Sequence, residues 1–297
     1  MSTQGTPSAS NPSRPIGFHV SIAGGLHKAV PRAIERECTA VQIFCDNPRG
    51  WTAAARTPEE MEALRLARRE AGLAPLVVHA CYLINPCARD RSIFHKSIRR
   101  MAHELTTAAD AGADFYVVHP GSPKGKPHTW AVKRAADAIA EAAQRAERFP
   151  TILLENTAAA GAPGSSLEGL GELIADAEAR APALTLGIAV DSCHAFVAGY
   201  DVRRLDEVER LVADVRSAVG LDRLHLLHAN DARDEAGSRR DRHWHIGEGC
   251  IGDAGIRNLC LHNALRHLPI ILETPWESVA TDLRNIRRLR SLIAGPP

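Results

Sequence analysis

Short apolar runs alternate with longer amphipathic segments along almost the whole chain. The short runs are rich in branched aliphatic residues, which is typical of buried parallel strands, whereas the longer segments have helical periodicity. The predicted strands are residues 17–20, 40–44, 76–79, 115–118, 151–155, 186–191, 224–229 and 269–273. The predicted helices lie near residues 25–37, 58–71, 91–111, 129–147, 167–179, 204–218, 253–266 and 277–293. Eight strands with intervening helices predict an α/β fold, the (β/α)8 or TIM barrel.

The first 15 residues differ in composition from the rest of the chain. Residues 1–15 are rich in Ser, Thr, Pro and Gly and lack the apolar run of a secretory signal, so we expect a disordered tail. We expect residues 16–297 to form one barrel domain. Seven cysteines without a close CxxC pair favour a reducing compartment. No apolar stretch reaches the length of a membrane span, so we expect a cytoplasmic protein that does not bind membranes.

A histidine or an acidic residue lies at, or one position from, the end of six of the predicted strands. The carboxyl ends of the strands of a parallel barrel meet at one face, where active sites lie. One such residue alone is more often a hydrogen-bonded core histidine or a helix cap. Six of them at one face are unfavourable unless a cation pairs with them, and imidazole and carboxylate are the usual ligands of zinc. These residues are His79, His119, Glu155, Asp191, His228 and Glu273. The pattern therefore predicts a metal pocket at the mouth of the barrel, and it favours the barrel over a doubly wound open sheet.

Two connections, residues 120–128 and 231–252, are longer than is usual between a strand and a helix. Long ordered loops at the active face of a barrel are usually functional. The second loop adds Asp241 and His243 to the candidate ligands, and the sequence DSCH adds His194. The resulting nine candidates are too many for one tetrahedral ion and indicate a cluster of two or three ions.

Positive charge accompanies these candidates, although the net charge of the chain is only +1. Arg239, Arg240 and Arg242 lie in the second long loop. Several metal ions beside basic side chains favour hydrolysis of a phosphate ester, because metals activate water and neutralise the leaving alkoxide. Glu155 or Glu273 is the expected bridge between ions, since a carboxylate has two oxygens to share. The sequence contains no GxSxG, GxxxxGK[ST] or HExxH motif of a competing chemistry.

The motifs in their order resemble those of endonuclease IV, the metal-dependent apurinic/apyrimidinic (AP) DNA endonuclease family. The resemblance extends from residue 17 to residue 276. The matching segments are HVSIAGG, NPRGW, HACYLIN, VHPGS, LENTA, DSCHAFVAGYD, LHAND, GSRRDRHWHIGEG and ILETP. The resemblance implies hydrolysis of the phosphodiester 5′ to an abasic site in duplex DNA. The products would be a 3′-hydroxyl and a 5′-deoxyribose phosphate, and 3′-end trimming would be a further activity.

The resemblance also implies three zinc ions, with manganese an alternative at one site. Glu155 and Glu273 would be the catalytic carboxylates, with Glu155 bridging the first two ions. The implied ligands are His79, His119 and Glu155 for the first ion, Glu155, Asp191, His228 and Glu273 for the second, and His194, Asp241 and His243 for the third.

By the same resemblance, Arg49, Tyr82 and Leu83 would enter the duplex at the lesion. His19 lies at the end of the first strand, where it would either support the ligands without itself binding an ion or have a purely structural role. Gly50 stands where the family commonly has a glutamine, which predicts a weaker hold on the opposite strand. The loop over residues 158–169 also departs from the family pattern. We expect the enzyme to act as a monomer.

Two other functions are compatible with parts of this pattern. A sugar isomerase or epimerase of the xylose isomerase-like barrels would have the same fold and one or two metal ions. His194, Asp241 and His243 would have no purpose there, nor would NPRGW and CYLIN. A lesion-binding protein without catalysis would lack at least one ligand, whereas all nine are present.

Overall fold

Eight parallel strands close into a barrel in the structure, a computed structural model that describes residues 14–294. The barrel strands are β1 (Ile16–His19), β2 (Ala40–Ile43), β3 (Leu76–His79), β4 (Phe115–Val118), β5 (Thr151–Glu155), β6 (Leu186–Asp191), β7 (Leu224–His228) and β10 (Ile270–Leu272). Their hydrogen-bonded order is β1-β10-β7-β6-β5-β4-β3-β2. Two short strands, β8 (Asp231–Ala232) and β9 (His243–Trp244), form an antiparallel pair after β7. The predicted (β/α)8 barrel is confirmed.

Helices follow the barrel strands in turn. They are α1 (Ala29–Glu35), α2 (Pro58–Glu70), α3 (Arg91–Asp110), α4 (His128–Arg145), α5 (Leu167–Arg180), α6 (Ser192–Ala198), α7 (Leu205–Ala218), α8 (Gly252–Leu261) and α9 (Val279–Ile293). The start of α2 shows why the sequence begins a helix there. Thr57 and Glu60 form a reciprocal capping box, and Pro58 occupies the first helical turn. None of the described helices is both long and apolar enough to cross a membrane.

The barrel interior explains where the candidate ligands lie. One small or aliphatic residue from each of seven strands forms an inner layer: Ala40, Val77, Val117, Leu153, Ala189, Leu226 and Ile271. Side chains alternate along a strand, so the residue two positions later points to the same side, one step nearer the carboxyl end. Those next residues are Gln42, His79, His119, Glu155, Asp191, His228 and Glu273. The alternation that builds the apolar core therefore also brings six of the predicted ligands to one end of the barrel.

The eighth strand follows the same rule with a glycine in the inner layer. Gly17 pairs with Ala40 and Ile271, and a Cβ atom on Gly17 would lie 1.9 Å from the Ala40 carbonyl oxygen. Only glycine allows this close approach. Two positions later stands His19, at the mouth of the barrel.

Several sequence-based boundaries differ from the structure. The segment 25–37 contains only a 3-10 turn and the seven-residue α1, and the predicted helix 253–266 ends at Leu261. Of the predicted tail, residues 1–13 lie outside the described part of the chain. Arg14 is attached to the barrel, since its guanidinium donates to the carbonyls of Cys260 (2.7 Å) and Leu265 (2.9 Å).

Candidate metal centre

The predicted ligands line a cavity at the carboxyl ends of the strands. Its volume is about 330 Å³. His79, His119, His194, Asp241 and His243 border it, whereas Glu155, Asp191 and His228 are completely buried below. The structure thus brings all nine predicted ligands to one site.

Glu155 lies at the centre of this site, with its two oxygens directed to different residues. Its Oε2 is 3.2 Å from His79 Nε2 and 3.0 Å from His119 Nε2. Its Oε1 is 3.1 Å from His228 Nδ1. A carboxylate with this orientation can serve two ions at once, one on each oxygen.

The donor atoms fall into compact sets that could each hold an ion. Within each set, one ligand atom per residue lies within 4.8 Å of the others. The sets are His79, His119 and Glu155; Glu155, Asp191, His228 and Glu273; and His194, Asp241 and His243. Zinc–ligand distances of about 2.0–2.2 Å place two ligands of one ion about 4 Å apart or less, which suits this spacing after small adjustments.

A fourth set consists of Asp191, Cys193 and His243. Burial raises the pKa of the Cys193 thiol, so the thiolate that a metal requires is unfavourable there. This set competes for two residues of the other sets and is the weaker candidate.

In three of the candidate ligand histidines, the backbone holds the second ring nitrogen. Each Nδ1 lies at hydrogen-bond distance from a carbonyl oxygen: His79 from Ala80 (2.8 Å), His194 from Asn156 (2.9 Å) and His243 from Glu273 (3.2 Å). Because a carbonyl only accepts, each Nδ1 must donate its proton. Each Nε2 then faces the site with the orientation that a metal ligand needs.

Charges within the site are balanced between acids and imidazoles. Burial alone would raise the pKa of Glu155, but the His119 and His228 imidazoles outweigh it and hold the pKa well below its usual range. Burial alone would lower the pKa of His228, but the Glu273 and Glu155 carboxylates outweigh it and raise the pKa to about 9. The lowered pKa of Glu155 and the raised pKa of His228 both favour an ion pair between these two side chains.

Divalent cations fit this arrangement of donors. Buried carboxylates need a compensating positive charge, which a metal ion supplies as well as imidazolium protons do. Among the described residues, the Nε2 of His243 is buried without a hydrogen-bond partner. This atom belongs to the set with His194 and Asp241, where a metal ion would complete its coordination.

His19 lies beside the site rather than in any of these sets. Its ring centroid is 4.2 Å from that of Phe44, and its Nδ1 is 3.5 Å from Glu273 Oε1. Burial outweighs the effect of Glu273 and lowers the pKa of His19, which favours a neutral ring.

The three predicted DNA-contacting residues occupy unequal positions. Tyr82 is 68% exposed at the rim of the cavity, and Arg49 is also exposed. Their two loops are joined by a hydrogen bond of 3.2 Å from the Tyr82 amide to the Pro48 carbonyl. Leu83 is half-buried and packs against the hydrophobic core. Exposure thus leaves Arg49 and Tyr82 free to contact a large ligand.

Sequence reasoning assigned no role to several buried polar residues of the site, and Gln42 and Asp231 are two of them. Gln42 lies among the ligands, and the glutamine within the apolar run AVQIF was the available signal. Asp231, the last residue of LHAND, accepts hydrogen bonds from the loop that carries Asp241 and His243. Nothing in the local sequence distinguishes Asp231 from an ordinary loop residue.

Comparisons with known proteins agree with this geometry. Residues 30–293 match the family described as xylose isomerase-like TIM barrel. The chain is 41% identical over 261 residues to a probable endonuclease 4 of Halothermothrix orenii, covering 88% of this chain and 93% of the relative. It is 38% identical over 279 residues to a probable endonuclease 4 of Methanoculleus marisnigri, covering 93% of this chain and 98% of that relative.

Solved structures show the same relationship. Endonuclease IV from Thermus thermophilus superimposes with a TM-score of 0.84 at 36% identity, covering 95% of this chain and 100% of that one. A D-tagatose 3-epimerase-like protein superimposes with a TM-score of 0.67 at 20% identity, a likeness of fold alone, over 94% and 98% of the two chains. The chain therefore belongs to the endonuclease IV family of xylose isomerase-like TIM barrels.

Proposed function

We propose that this protein is a metal-dependent AP endonuclease that hydrolyses the phosphodiester 5′ to an abasic site in duplex DNA. One observation carries the proposal: Glu155 directs its two oxygens to separate ligand sets, and a third set lies next to them. Three ion sites in one pocket suit the hydrolysis of a phosphate ester, because the attacking oxygen, the phosphoryl oxygens and the leaving oxygen must all be stabilised. The relatives named endonuclease 4 support the same reaction.

Zinc suits the imidazole and carboxylate donors, with manganese an alternative at one site. Bound ions would supply activation of water and neutralisation of the charge that develops on the phosphate and the leaving oxygen. One ion would be held by His79, His119 and Glu155. A second ion would be held by Glu155 together with Asp191, His228 and Glu273. His194, Asp241 and His243 would hold the third ion.

Residues at the rim would place the lesion over these ligands. The exposed guanidinium of Arg49 and the ring of Tyr82 can occupy the space and the stacking surface that a missing base leaves. A second cavity, of about 310 Å³, shares Tyr82, His119 and Asp241 with the first. Its lining residues include Asn85, Ser122, Thr157 and Arg239, and amide, hydroxyl and guanidinium groups commonly contact phosphate oxygens.

A sugar epimerase is the second candidate, and only the fold favours it. The epimerase-like protein is 20% identical to this chain, which supports a common fold and no common reaction. Proton transfer on a sugar would have no use for a third ligand set made of His194, Asp241 and His243. The exposed Arg49 and Tyr82 likewise fit a ligand larger than a sugar.

The test is incision of a duplex that carries one abasic-site analogue. The protein is stripped with EDTA, reloaded with zinc, and its metal content is measured. We expect no cutting after EDTA and cutting on the 5′ side of the lesion after zinc is restored, leaving a 3′-hydroxyl. An undamaged duplex is the control substrate. No cutting by protein with bound metal would overturn the proposal and leave the epimerase as the function to test.

A further inference from the structure

Gln42 is a completely buried amide among the ligand residues. Its side chain makes three contacts. Its Nε2 lies 2.9 Å from His19 Nδ1 and 2.5 Å from Glu273 Oε1, and its Oε1 lies 3.0 Å from His228 Nε2. Burial of an amide is favourable only when its polar atoms find such partners, and here both ends are satisfied by residues of the site.

The chemistry of the partners determines which way this amide points. A carboxylate only accepts hydrogen bonds, so the group that faces Glu273 must be the NH2 of Gln42. The amide oxygen then faces His228, and the Nε2 of His228 must carry the proton that it donates. Gln42 therefore holds His228 in one orientation with Nδ1 turned to the opposite side.

That opposite side is the proposed metal position. His228 Nδ1 is 3.1 Å from Glu155 Oε1 and 3.3 Å from Glu273 Oε2. Gln42 also holds the other oxygen of Glu273, which leaves Oε2 directed to the same point. One amide thus orients two ligands of one set at the same time.

This arrangement is similar to that of three other candidate ligand histidines. A backbone carbonyl takes the Nδ1 proton of His79, of His194 and of His243. At His228 the corresponding acceptor is a side chain, that of Gln42. A side chain can be replaced by mutation, so the contribution of this contact is measurable.

We propose that Gln42 is a positioning residue that sets the affinity of the ion held by Glu155, Asp191, His228 and Glu273. The inference rests on the metal centre of the proposed function. Gln42 does not itself contact that ion. It fixes the protonated nitrogen of His228 and the rotamer of Glu273, so that both ligands are oriented before the ion binds. Loss of such a contact typically weakens metal binding about 10- to 100-fold.

The test compares two substitutions that remove a buried amide. Gln42→Met keeps the length of the side chain and removes both polar ends. Asn285→Leu is the matched control, because Asn285 is also buried and its amide bonds to His245, Thr274 and the Ile246 amide, which are not predicted ligands. Zinc affinities are measured by titration of the stripped proteins against a chromophoric chelator, and unfolding is measured in urea with EDTA present.

We expect Gln42→Met to weaken one of three zinc sites about 10- to 100-fold and to leave the other two unchanged. Asn285→Leu should change the urea midpoint without selective loss of one ion. If Gln42→Met does not fold, Gln42→Ala gives the same test with a smaller side chain. Unchanged zinc affinities, or an equal loss at all three sites, would overturn the inference and leave the proposed function intact. A wild-type protein that binds no zinc would overturn both.

Discussion

Asp231 offers a test of how the third ligand set is held in place. Its carboxylate is completely buried and accepts hydrogen bonds from five backbone amides. The donors are Ala232 (2.8 Å), Gly247 (2.9 Å), Gly249 (3.1 Å), Ile251 (2.9 Å) and Gly252 (3.1 Å). These amides, together with the β8–β9 pair, bind the loop that carries Asp241 and His243 to the barrel. Asp231→Ala removes the common acceptor.

The cost of that substitution follows from the burial of the donors. A buried backbone N–H without a partner costs about 1–3 kcal/mol. Ala232 is 0% and Ile251 is 1% exposed, so water cannot replace the lost oxygen at these two amides. The three glycines are only partly buried, so water can reach this part of the loop. We therefore expect Asp231→Ala to destabilise the loop by about 2–6 kcal/mol, enough to open it while the barrel stays folded.

Hydrogen–deuterium exchange resolved by peptide measures this opening directly. A change of 2 kcal/mol or more corresponds to a loss of protection of about thirtyfold or more over residues 245–252. Asp231→Asn keeps one acceptor oxygen, so the protection of residues 245–252 in this variant should lie between that of Asp231→Ala and that of the wild type. Glu248→Ala is the control: Glu248 is an exposed acid of the same loop, 3.3 Å from Arg284, and its loss should cost less than about 0.5 kcal/mol. Protection in Asp231→Ala within about threefold of wild type would show that Asp231 does not hold the loop.

Three further predictions concern the ligands, the rim and the response to pH. Glu155→Gln should lower the rate of incision more than about a hundredfold, because a neutral amide cannot bridge two ions as a carboxylate does. The circular dichroism spectrum should stay unchanged, and a normal rate of incision would show that Glu155 is not the bridging ligand. Tyr82→Ala should weaken binding of an abasic duplex about 5- to 150-fold, since one base–aromatic stack contributes about 1–3 kcal/mol, and fluorescence anisotropy that shows equal affinity would contradict this. In EDTA, the urea midpoint should fall as the pH rises through about 9, because the pKa of His228 is raised to about 9 and the folded state binds a proton that is lost over this range. The bound proton on His228 stabilises the folded protein fully at pH values below the ordinary histidine pKa. A urea midpoint that rises with pH through about 9 would contradict this prediction.

Local sequence patterns were enough to predict the barrel and the face to which the candidate ligand side chains point. Eight apolar runs with βα spacing predict the strand count, and every barrel strand of the structure begins and ends within one residue of its predicted range. Alternation along a strand is a local property, so a ligand two positions after a core residue must share its side of the sheet. That relation links Leu153 to Glu155 and Leu226 to His228.

The grouping of the donors and the contacts that support them depend on the folded chain. Gln42 contacts Glu273 across 231 residues and His228 across 186, and contacts at such separation leave no local pattern. Asp231 likewise collects amides from a turn about 20 residues later, and only the path of that turn brings them to its carboxylate. Local sequence specifies the face to which a side chain points. The closed barrel specifies which side chains from distant strands meet there, because closure fixes the distance between strands that are far apart in the chain.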